Sequence, residues 1–230
     1  MNQTVDVIIP ALNEAGSIAE VIRQLPAGRV RRVVVVDNGS TDRTPEVARS
    51  AGAVVVSEPR RGYGRACWTG LDFLEANPPD VVAFVDGDLS DHPAELTDVL
   101  RPIEEGRAEL VIGSRLLGRR ERGALTPVAH FGNILAPFLI RLFYRHRYTD
   151  LGPFRAVTWP GLRLLGMRDR GFGWTVEMQI LALKRGLRVA EVPVSYRRRI
   201  GRSKISGTVA GSFHAGRIIL WTIFSSLLRK

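Results

Sequence analysis

In the first half of the chain, short β-branched apolar runs alternate with segments whose apolar residues have helical spacing. The runs are almost continuously apolar, as expected of strands that are covered by helices on both faces. We predict strands at Val5–Ile9, Arg32–Val36, Ala53–Ser57, Val81–Val85 and Leu110–Ile112. Helices are predicted between them, near Gly16–Leu25, Thr44–Ala51, Gly64–Ala76 and Ala94–Glu104. This alternation indicates an α/β fold with a largely parallel sheet.

The second half has a different pattern, dominated by two long apolar-rich helical segments with basic ends, Leu125–Arg147 and Gly207–Arg229. Between them we predict a short extended segment at Phe154–Val157, a helix near Trp174–Arg185 and a strand around Val189–Tyr196. The apolar positions of the two long segments exceed one helical stripe, which is typical of helices that are buried or lie in lipid. The longest apolar run is well short of the ~20 residues that span a bilayer. The segments are therefore expected to lie at a membrane interface, to pack together, or to form a dimer interface.

Charge is distributed unevenly between the two halves. Residues 1–115 contain 12 arginines and 18 acidic residues, for a net charge of −6, whereas residues 116–230 carry +16. A basic half indicates an anionic partner such as a phospholipid or a phosphorylated substrate. Nucleic acid is not expected, because the basic residues accompany long apolar helices and no nucleic-acid motif is present. The single cysteine, Cys67, excludes an internal disulfide and fits a reducing compartment.

Polar, turn-forming residues follow several of the predicted strands at the edge where ligands collect in open parallel sheets. The most informative of these is Asp86-Gly87-Asp88, directly after an apolar strand. We expect the two carboxylates to point the same way from an extended backbone. Two such charges repel unless a cation lies beside them, and a divalent Mg²⁺ or Mn²⁺ ion with oxygen ligands would serve while it holds a diphosphate. Gly87 would let those phosphates approach the backbone.

These residues belong to an ordered set of motifs that extends over most of the chain. In single letters the motifs are VIIPALNE, VVDNGSTD, RRGYGRACWTG, FVDGDLSDHP, VIGSR, TDLGPFRAV, GWTVEMQ and RRIGRSKISGT. Together they resemble family 2 glycosyltransferases of the GT-A fold, and most closely the dolichyl-phosphate mannosyl- and glucosyltransferase branch. The resemblance implies a GT-A-type, Rossmann-like mixed sheet that is mostly parallel, with helices on both faces and amphipathic interfacial helices in the second half. It also implies a catalytic domain over residues 1–206 and a C-terminal interfacial helix over residues 207–230.

The resemblance also assigns candidate site residues. Nucleotide-sugar binding is expected from Pro10, Ala11, Asn13, Glu14, Asp37, Asp86, Gly87, Arg199, Ser203 and Lys204. Metal binding is expected from Asp86, Asp88 and Asp91. Catalytic roles are expected for Asp86, Asp88, Arg115 and Glu177, and acceptor binding for Arg115, His130, Asp150 and Arg155.

Three departures from the family pattern affect substrate identity. Ser90 stands where the mannosyltransferases carry a glutamine that contacts the metal, and Asp91 either takes that role or the role is lost. Asn38 replaces the usual second aspartate after the second strand. The segment Thr149–Ala156 replaces the usual small-residue version of the acceptor-side motif. Asp150 is expected to order Arg155 or the acceptor pocket.

The expected reaction is an inverting, metal-dependent transfer of a hexose from a UDP- or GDP-sugar to a polyprenyl phosphate. A lipid phosphate is already an anion at neutral pH, so its transfer needs positive charge rather than a general base. The expected location is the cytoplasmic face of the cell membrane, with the protein bound peripherally and a homodimer as a further option. The alternatives are transfer to a hydroxyl with Glu177 as base, or a non-catalytic scaffold that binds nucleotide sugars at a membrane.

Overall fold

A seven-stranded sheet forms the centre of the molecule. The computed structural model describes residues 3–124, 127–201 and 209–228, without the side chains of residues 127–131, 133, 209–215 and 228. The strands are β1 (Val5–Ala11), β2 (Arg32–Asp37), β3 (Val54–Ser57), β4 (Val81–Phe84), β5 (Leu110–Ser114), β6 (Arg155–Thr158) and β7 (Val189–Pro193). The α-helices are α1 (Ile18–Gln24), α2 (Thr44–Ser50), α3 (Tyr63–Leu74), α4 (Leu96–Glu104), α5 (Pro127–Tyr144), α6 (Trp159–Leu165), α7 (Trp174–Lys184) and α8 (Val209–Leu228).

The strand order is β3-β2-β1-β4-β6-β5-β7. All neighbouring pairs are parallel except those of β6, which runs antiparallel between β4 and β5. The expected mixed, mostly parallel sheet is thus confirmed. Because β6 runs the opposite way, the segment that precedes it arrives at the same edge of the sheet as the carboxyl ends of β4 and β5. That edge therefore carries residues from strand ends and from a strand beginning.

Helices cover both faces of the sheet and create two apolar cores. One core contains side chains of α1, α2 and α4, including Ile18, Ala48 and Leu100. The other contains side chains of α3, α5, α6, α7 and α8, including Trp174 and Ile223. Strand residues alternate between the two cores, which explains the continuous apolar runs in the sequence. The expectation of helices on both faces is therefore confirmed.

One described helix was not anticipated from the apolar pattern. Helix α6 has seven residues, too few to display a helical repeat, but its ends carry ordinary start and stop signals. The Thr158 hydroxyl accepts a hydrogen bond from the Gly161 amide at 3.2 Å, and Pro160 lies in the first turn. Gly166 ends the helix in the left-handed conformation. The helix therefore depends on capping residues more than on amphipathic spacing.

Helices α5 and α8 pack side by side against α7. The Tyr144 hydroxyl donates a hydrogen bond to the Ile223 carbonyl at 2.7 Å, and the Lys184 ammonium group donates to the Ser226 carbonyl at 2.6 Å. The inner face of α8 buries Thr222, Ile223 and Ser226. This covering explains why the side chains of α7 are buried on nearly every side. The predicted domain boundary after residue 206 lies in segment 202–208, outside the described residues, and stays a prediction.

The outward faces of the same two helices expose large apolar side chains. Trp221 is 73% exposed, Leu142 60% and Phe138 59%, and Ile134, Phe143, Phe224 and Leu227 are exposed as well. The rings of Phe143 and Phe224 meet edge to face with centroids 5.4 Å apart, so the two faces form one surface. No helix in the described part of the chain is both long and apolar enough to cross a membrane.

Candidate active site

The loops at the carboxyl ends of β1 and β2 are joined by side-chain hydrogen bonds. Asn13 lies in the left-handed region at φ 55°, and its side-chain oxygen accepts a hydrogen bond from the Thr41 amide at 2.7 Å. The Ser40 hydroxyl accepts from the Asn13 amide, while a carboxylate oxygen of Asp37 accepts from the Ser40 amide at 3.1 Å. Pro10 and Ala11 lie within β1, which is two residues longer than predicted. The structure thus brings together the residues predicted to hold the nucleoside.

Asn38, the departure from the usual aspartate, has a defined structural role. Its amide nitrogen donates hydrogen bonds to the carbonyls of Glu58 and Arg60, both at 2.9 Å. Its amide oxygen accepts a hydrogen bond from the Gly62 amide at 2.8 Å. An aspartate has no donor for the two carbonyls, whereas the amide satisfies all three partners. Asn38 therefore fixes the loop that leads into α3.

The Asp86-Gly87-Asp88 sequence follows β4 but departs from the extended geometry that was predicted. The chain turns at Gly87 and Asp88, and Leu89 adopts a positive φ of 61°. The extended prediction is therefore wrong beyond the strand. Burial, and after it the negative charge of Asp88, raise the pKa of Asp86 to about 7.

Both oxygens of the Asp88 carboxylate have protein partners. One accepts hydrogen bonds from the Ser90 amide at 2.9 Å and the Ser90 hydroxyl at 2.5 Å. The other forms an ion pair with the Arg199 guanidinium at 2.9 Å. Ser90, which replaces the expected glutamine, therefore orients the carboxylate of Asp88.

Asp91 is fully buried beside these two aspartates, and neither of its carboxylate oxygens has a hydrogen-bond partner among the described residues. Burial, together with the charges of Asp86 and Asp88, raises the pKa of Asp91 well above its usual range. A buried group of this kind requires a counter-charge, water or a proton. The carboxylates of Asp86, Asp88 and Asp91 thus fit a divalent cation, which would supply the missing counter-charge. Among the residues the structure describes, however, no three carboxylate, imidazole or thiol groups form a metal cage.

Arg115 forms a buried ion pair with Asp150. The guanidinium donates to both Asp150 carboxylate oxygens at 2.7 Å, and the Arg115 amide donates to one of them at 2.9 Å. Both side chains are almost fully buried. Desolvation by burial acts to lower the pKa of Arg115, but the charge of Asp150 and its hydrogen bonds outweigh this effect and raise the pKa above its usual value. Asp150 was expected to order either Arg155 or the acceptor pocket, and its carboxylate contacts Arg115 and not Arg155. The role in an acceptor pocket stays a prediction.

Arg155 is fully buried at the beginning of β6, where its guanidinium binds main-chain carbonyls. It donates to the carbonyl of Gly152 at 2.5 Å and to that of Thr175 at 2.9 Å. These bonds fasten the segment before β6 to the first turn of α7. Burial lowers the pKa of Arg155. This geometry favours a structural role over the predicted contact with an acceptor.

Glu177 is also buried, in the first turn of α7. One carboxylate oxygen accepts hydrogen bonds from the amides of Arg168 and Asp169 at 2.9 and 2.6 Å. The loop held in this way contacts the beginning of α3, where the Gly64 and Arg65 amides donate to the carbonyls of Gly171 and Arg170, both at 3.0 Å. A Cβ atom at Gly64 would lie within 2.7 Å of the Arg170 backbone, so this contact requires glycine. Glu177 therefore fixes the loop between α6 and α7 that contacts the beginning of α3.

Comparison with known proteins places this site in a family. Residues 6–165, more than half of the chain, match the Glycosyl transferase family 2 profile. The protein belongs to glycosyl transferase family 2.

Similar proteins cover four fifths or more of this family 2 glycosyltransferase. An uncharacterised glycosyltransferase of Mycobacterium tuberculosis is 39% identical over 96% of this chain and 98% of its own length. A UDP-N-acetylglucosamine–dolichyl-phosphate N-acetylglucosaminyltransferase of Methanococcus voltae is 26% identical over 81% of this chain and 83% of its own. The crystal structure of glucosyl-3-phosphoglycerate synthase from Mycobacterium tuberculosis with Mn²⁺, UDP and glucosyl-3-phosphoglycerate superposes with a TM-score of 0.77. It is 25% identical and covers 97% of this chain and 79% of that one. This similarity confirms the GT-A fold.

Not every predicted site residue of the glycosyltransferase can be placed. Ser203 and Lys204 lie outside the described residues, as does the side chain of His130. The roles predicted for them stay predictions, as do the nucleotide, metal and acceptor roles of the placed residues. Asn38 and Ser90 were noticed only as departures from the family pattern. The partners of Asn38 lie on the loop that leads into α3, and Ser90 reaches Asp88 only because the chain turns after β4.

Proposed function

We propose that the protein transfers a hexose from a UDP- or GDP-sugar, with inversion, to a polyprenyl phosphate at the cytoplasmic face of the cell membrane. The observation that carries this proposal is the exposed apolar surface of α5 and α8, on helices that also pack against α7. Thr222 of α8 contacts the beginning of α7 so closely that a Cβ atom at Gly173 would lie 2.5 Å from its hydroxyl oxygen. Helix α8 therefore carries the exposed surface on one face and, through its inner face, contacts Gly173 at the end of the loop that Glu177 holds.

The donor would bind across the ends of β1, β2 and β4. Asn13, Glu14 and Asp37 would contact the nucleoside, and the turn at Asp86–Asp91 would receive the diphosphate. A Mg²⁺ or Mn²⁺ ion held by Asp86 and Asp88 would neutralise the diphosphate as the leaving group departs. Two protein carboxylates are sufficient, since such ions commonly take their other ligands from substrate phosphates and water. The Mn²⁺ and UDP in the glucosyl-3-phosphoglycerate synthase structure support this assignment.

The acceptor phosphate needs no general base, because its oxygen is an anion near neutral pH. The contacts of Glu177 agree with this requirement, since its carboxylate accepts hydrogen bonds from main-chain amides in the protein interior. The dolichyl phosphate in the name of the Methanococcus relative supports a lipid phosphate. Glucosyl-3-phosphoglycerate in the solved neighbour favours the second candidate, a hydroxyl acceptor on a soluble phosphorylated molecule.

Substitution of Glu177 separates these two candidates. Glu177→Gln keeps an oxygen that accepts the two amide hydrogen bonds but cannot take a proton. With a lipid-phosphate acceptor we expect Glu177→Gln to reduce kcat far less than the ~10²–10⁴ typical of a lost general base. Glu177→Ala, which removes the acceptor oxygen, should reduce it more than Glu177→Gln does. The measurement is steady-state transfer of radiolabelled sugar, with thermal unfolding as the check on folding. A loss of a hundredfold or more in well-folded Glu177→Gln would favour the hydroxyl acceptor.

The membrane side of the proposal rests on the surface of α5 and α8. Exposed arginines accompany its apolar residues, namely Arg141, Arg145, Arg147 and Arg217. Aromatic and aliphatic side chains combined with basic residues are typical of helices that lie in the interface of an anionic bilayer. An apolar patch of this kind rarely remains uncovered on a soluble monomer. We therefore expect the protein to sediment with anionic liposomes.

Substitutions on this surface should separate its apolar and electrostatic contributions. Trp221→Ser with Phe224→Ser should weaken liposome binding at every salt concentration, because apolar contact is lost. Arg141→Gln with Arg217→Gln should weaken it chiefly at low salt, since each basic residue near the surface contributes about 1 kcal/mol that salt screens. Phe73→Ser, on the exposed side of α3, is the matched control and should bind as the unmodified protein does.

Failure of the unmodified protein to bind anionic liposomes at low salt would contradict the membrane assignment. If the protein were then a dimer that Trp221→Ser and Phe224→Ser dissociate, the surface would be a homodimer interface. The reaction itself is tested by incubating the protein with membranes and a panel of radiolabelled UDP- and GDP-sugars. Label in the lipid extract supports the proposed acceptor, label in a water-soluble product supports the hydroxyl acceptor, and no transfer supports a non-catalytic scaffold.

A further inference from the structure

The Arg199 guanidinium pairs with the carboxylate of Asp88, which a divalent cation would need as a ligand. The guanidinium lies 2.9 Å from one oxygen of Asp88, and Ser90 takes the other oxygen. The side chain of Asp88 is 7% exposed and that of Arg199 is 32% exposed. Although burial acts to lower it, the charge of Asp88 raises the pKa of Arg199 above its usual value. In the structure, the arginine therefore acts as the positive partner of Asp88.

The backbone around Arg199 is fastened to the same turn, so the ion pair is not the contact of a loose surface side chain. The Arg197 amide donates to the Ser90 carbonyl at 2.9 Å, and the Ile200 amide donates to the Asp88 carbonyl at 3.0 Å. Tyr196 forms a β-bridge with Asp91. Segment 196–200 thus lies along the turn that carries the carboxylates, with Arg199 directed at Asp88.

We propose that the Arg199 guanidinium pairs with the Asp88 carboxylate in place of a metal ion until a nucleotide diphosphate binds. The guanidinium then leaves Asp88 to the metal ion and pairs with the diphosphate. This inference rests on the proposed function, because it takes a metal–diphosphate donor as the ligand. With Arg199 on Asp88, a metal ion must displace a cation to bind the carboxylate. When the diphosphate enters, the metal takes Asp88 and the guanidinium takes the phosphate oxygens, so no charge is left unpaired.

The exchange predicts strong positive coupling between metal and nucleotide. Metal alone would bind weakly, because it must break the ion pair without offering Arg199 a new partner. The diphosphate supplies that partner, so each ligand should raise the affinity for the other by the same factor. This coupling would keep the metal site from loading without a donor.

Equilibrium Mn²⁺ binding, followed by electron paramagnetic resonance of the free ion, tests the exchange without any turnover. Arg199→Gln and Arg199→Met should each bind Mn²⁺ alone about tenfold more tightly than the unmodified protein, within the usual range of coupling between sites. The same variants should bind UDP or GDP more weakly once Mn²⁺ is present. Two variants are used so that poor folding of one, detected by circular dichroism, leaves the other to decide.

Arg198→Gln is the matched control, because it removes the same charge one residue away. The Arg198 guanidinium donates to the Arg122 carbonyl at 2.7 Å. The Arg198→Gln variant should therefore bind Mn²⁺ and nucleotide about as tightly as the unmodified protein does. The proposal is overturned if the Arg199 variants bind Mn²⁺ alone no more tightly than Arg198→Gln does, while Mn²⁺ and nucleotide still bind together. If neither the unmodified protein nor any variant bound Mn²⁺, with or without UDP and GDP, the proposed metal-dependent binding of a nucleotide-sugar donor would be excluded. This inference would be excluded with it.

Discussion

Asp86→Ala and Asp88→Ala are each expected to lower turnover about a hundredfold or more. The carboxylates lie on a turn directly after a fully buried strand, where Ser90 orients one of them. Loss of a preorganised group that stabilises developing charge commonly costs that much. Because the carboxylates are the proposed link between protein and metal, donor binding should also lose its dependence on Mg²⁺ or Mn²⁺. Transfer assays and nucleotide titrations with and without the metal measure the two effects.

Asp72→Ala is the control for these variants. Asp72 is exposed on α3, and its loss removes the same charge away from the turn. We expect its turnover and metal dependence to match those of the unmodified protein. Near-normal, metal-stimulated activity in both Asp86→Ala and Asp88→Ala would exclude the proposed metal site.

Asp150→Ala is expected to have the largest effect on stability. The substitution leaves the buried guanidinium of Arg115 without its carboxylate, and it also removes the acceptor for the Leu151 amide. Breaking a buried pair by removing one partner costs about 3–5 kcal/mol, because the remaining charge is uncompensated. Denaturant unfolding measures the loss of free energy of unfolding directly.

An exposed ion pair supplies the comparison. Glu75 pairs with Arg163 at the surface, and Glu75→Ala should cost no more than about 1 kcal/mol. Adding Arg115→Met to Asp150→Ala should recover part of the stability, because it removes the unpaired buried charge. Equal effects of Asp150→Ala and Glu75→Ala would show that the buried pair does not stabilise the fold.

Strand positions were predictable from the sequence because two covered faces leave a continuous apolar run. Polar residues that directly follow such a run lie at the edge of the sheet where ligands bind, which is how Asp86 and Asp88 were identified. Helix α3 and the strand at Val81 were therefore predicted within one or two residues. The direction of β6 could not be predicted, because a four-residue run has the same apolar pattern in a parallel and in an antiparallel strand.

Side-chain partners were the least predictable part of the site. Arg115 and Asp150 are far apart in sequence, and Arg155 was an equally plausible partner until the structure placed it against main-chain carbonyls. The role of Asn38 depends likewise on a loop beyond β3. Charge and spacing indicate which residues lie near an edge of a sheet. They do not specify which of several nearby cations a carboxylate will contact.

The antiparallel strand β6 also constrains how this chain can fold. β4 and β5 are joined only through β6, and Val81 must find Thr158 across a long stretch of chain. Contacts so distant in sequence are reached late and slow the folding reaction. Until then the edge of β4 is open, and open edges promote aggregation. In a fragment that ends before residue 155, the edge of β4 would stay unpaired, and β4 is the strand that leads to Asp86. The native arrangement of Asp86 and Asp88 therefore requires the chain to extend through β6.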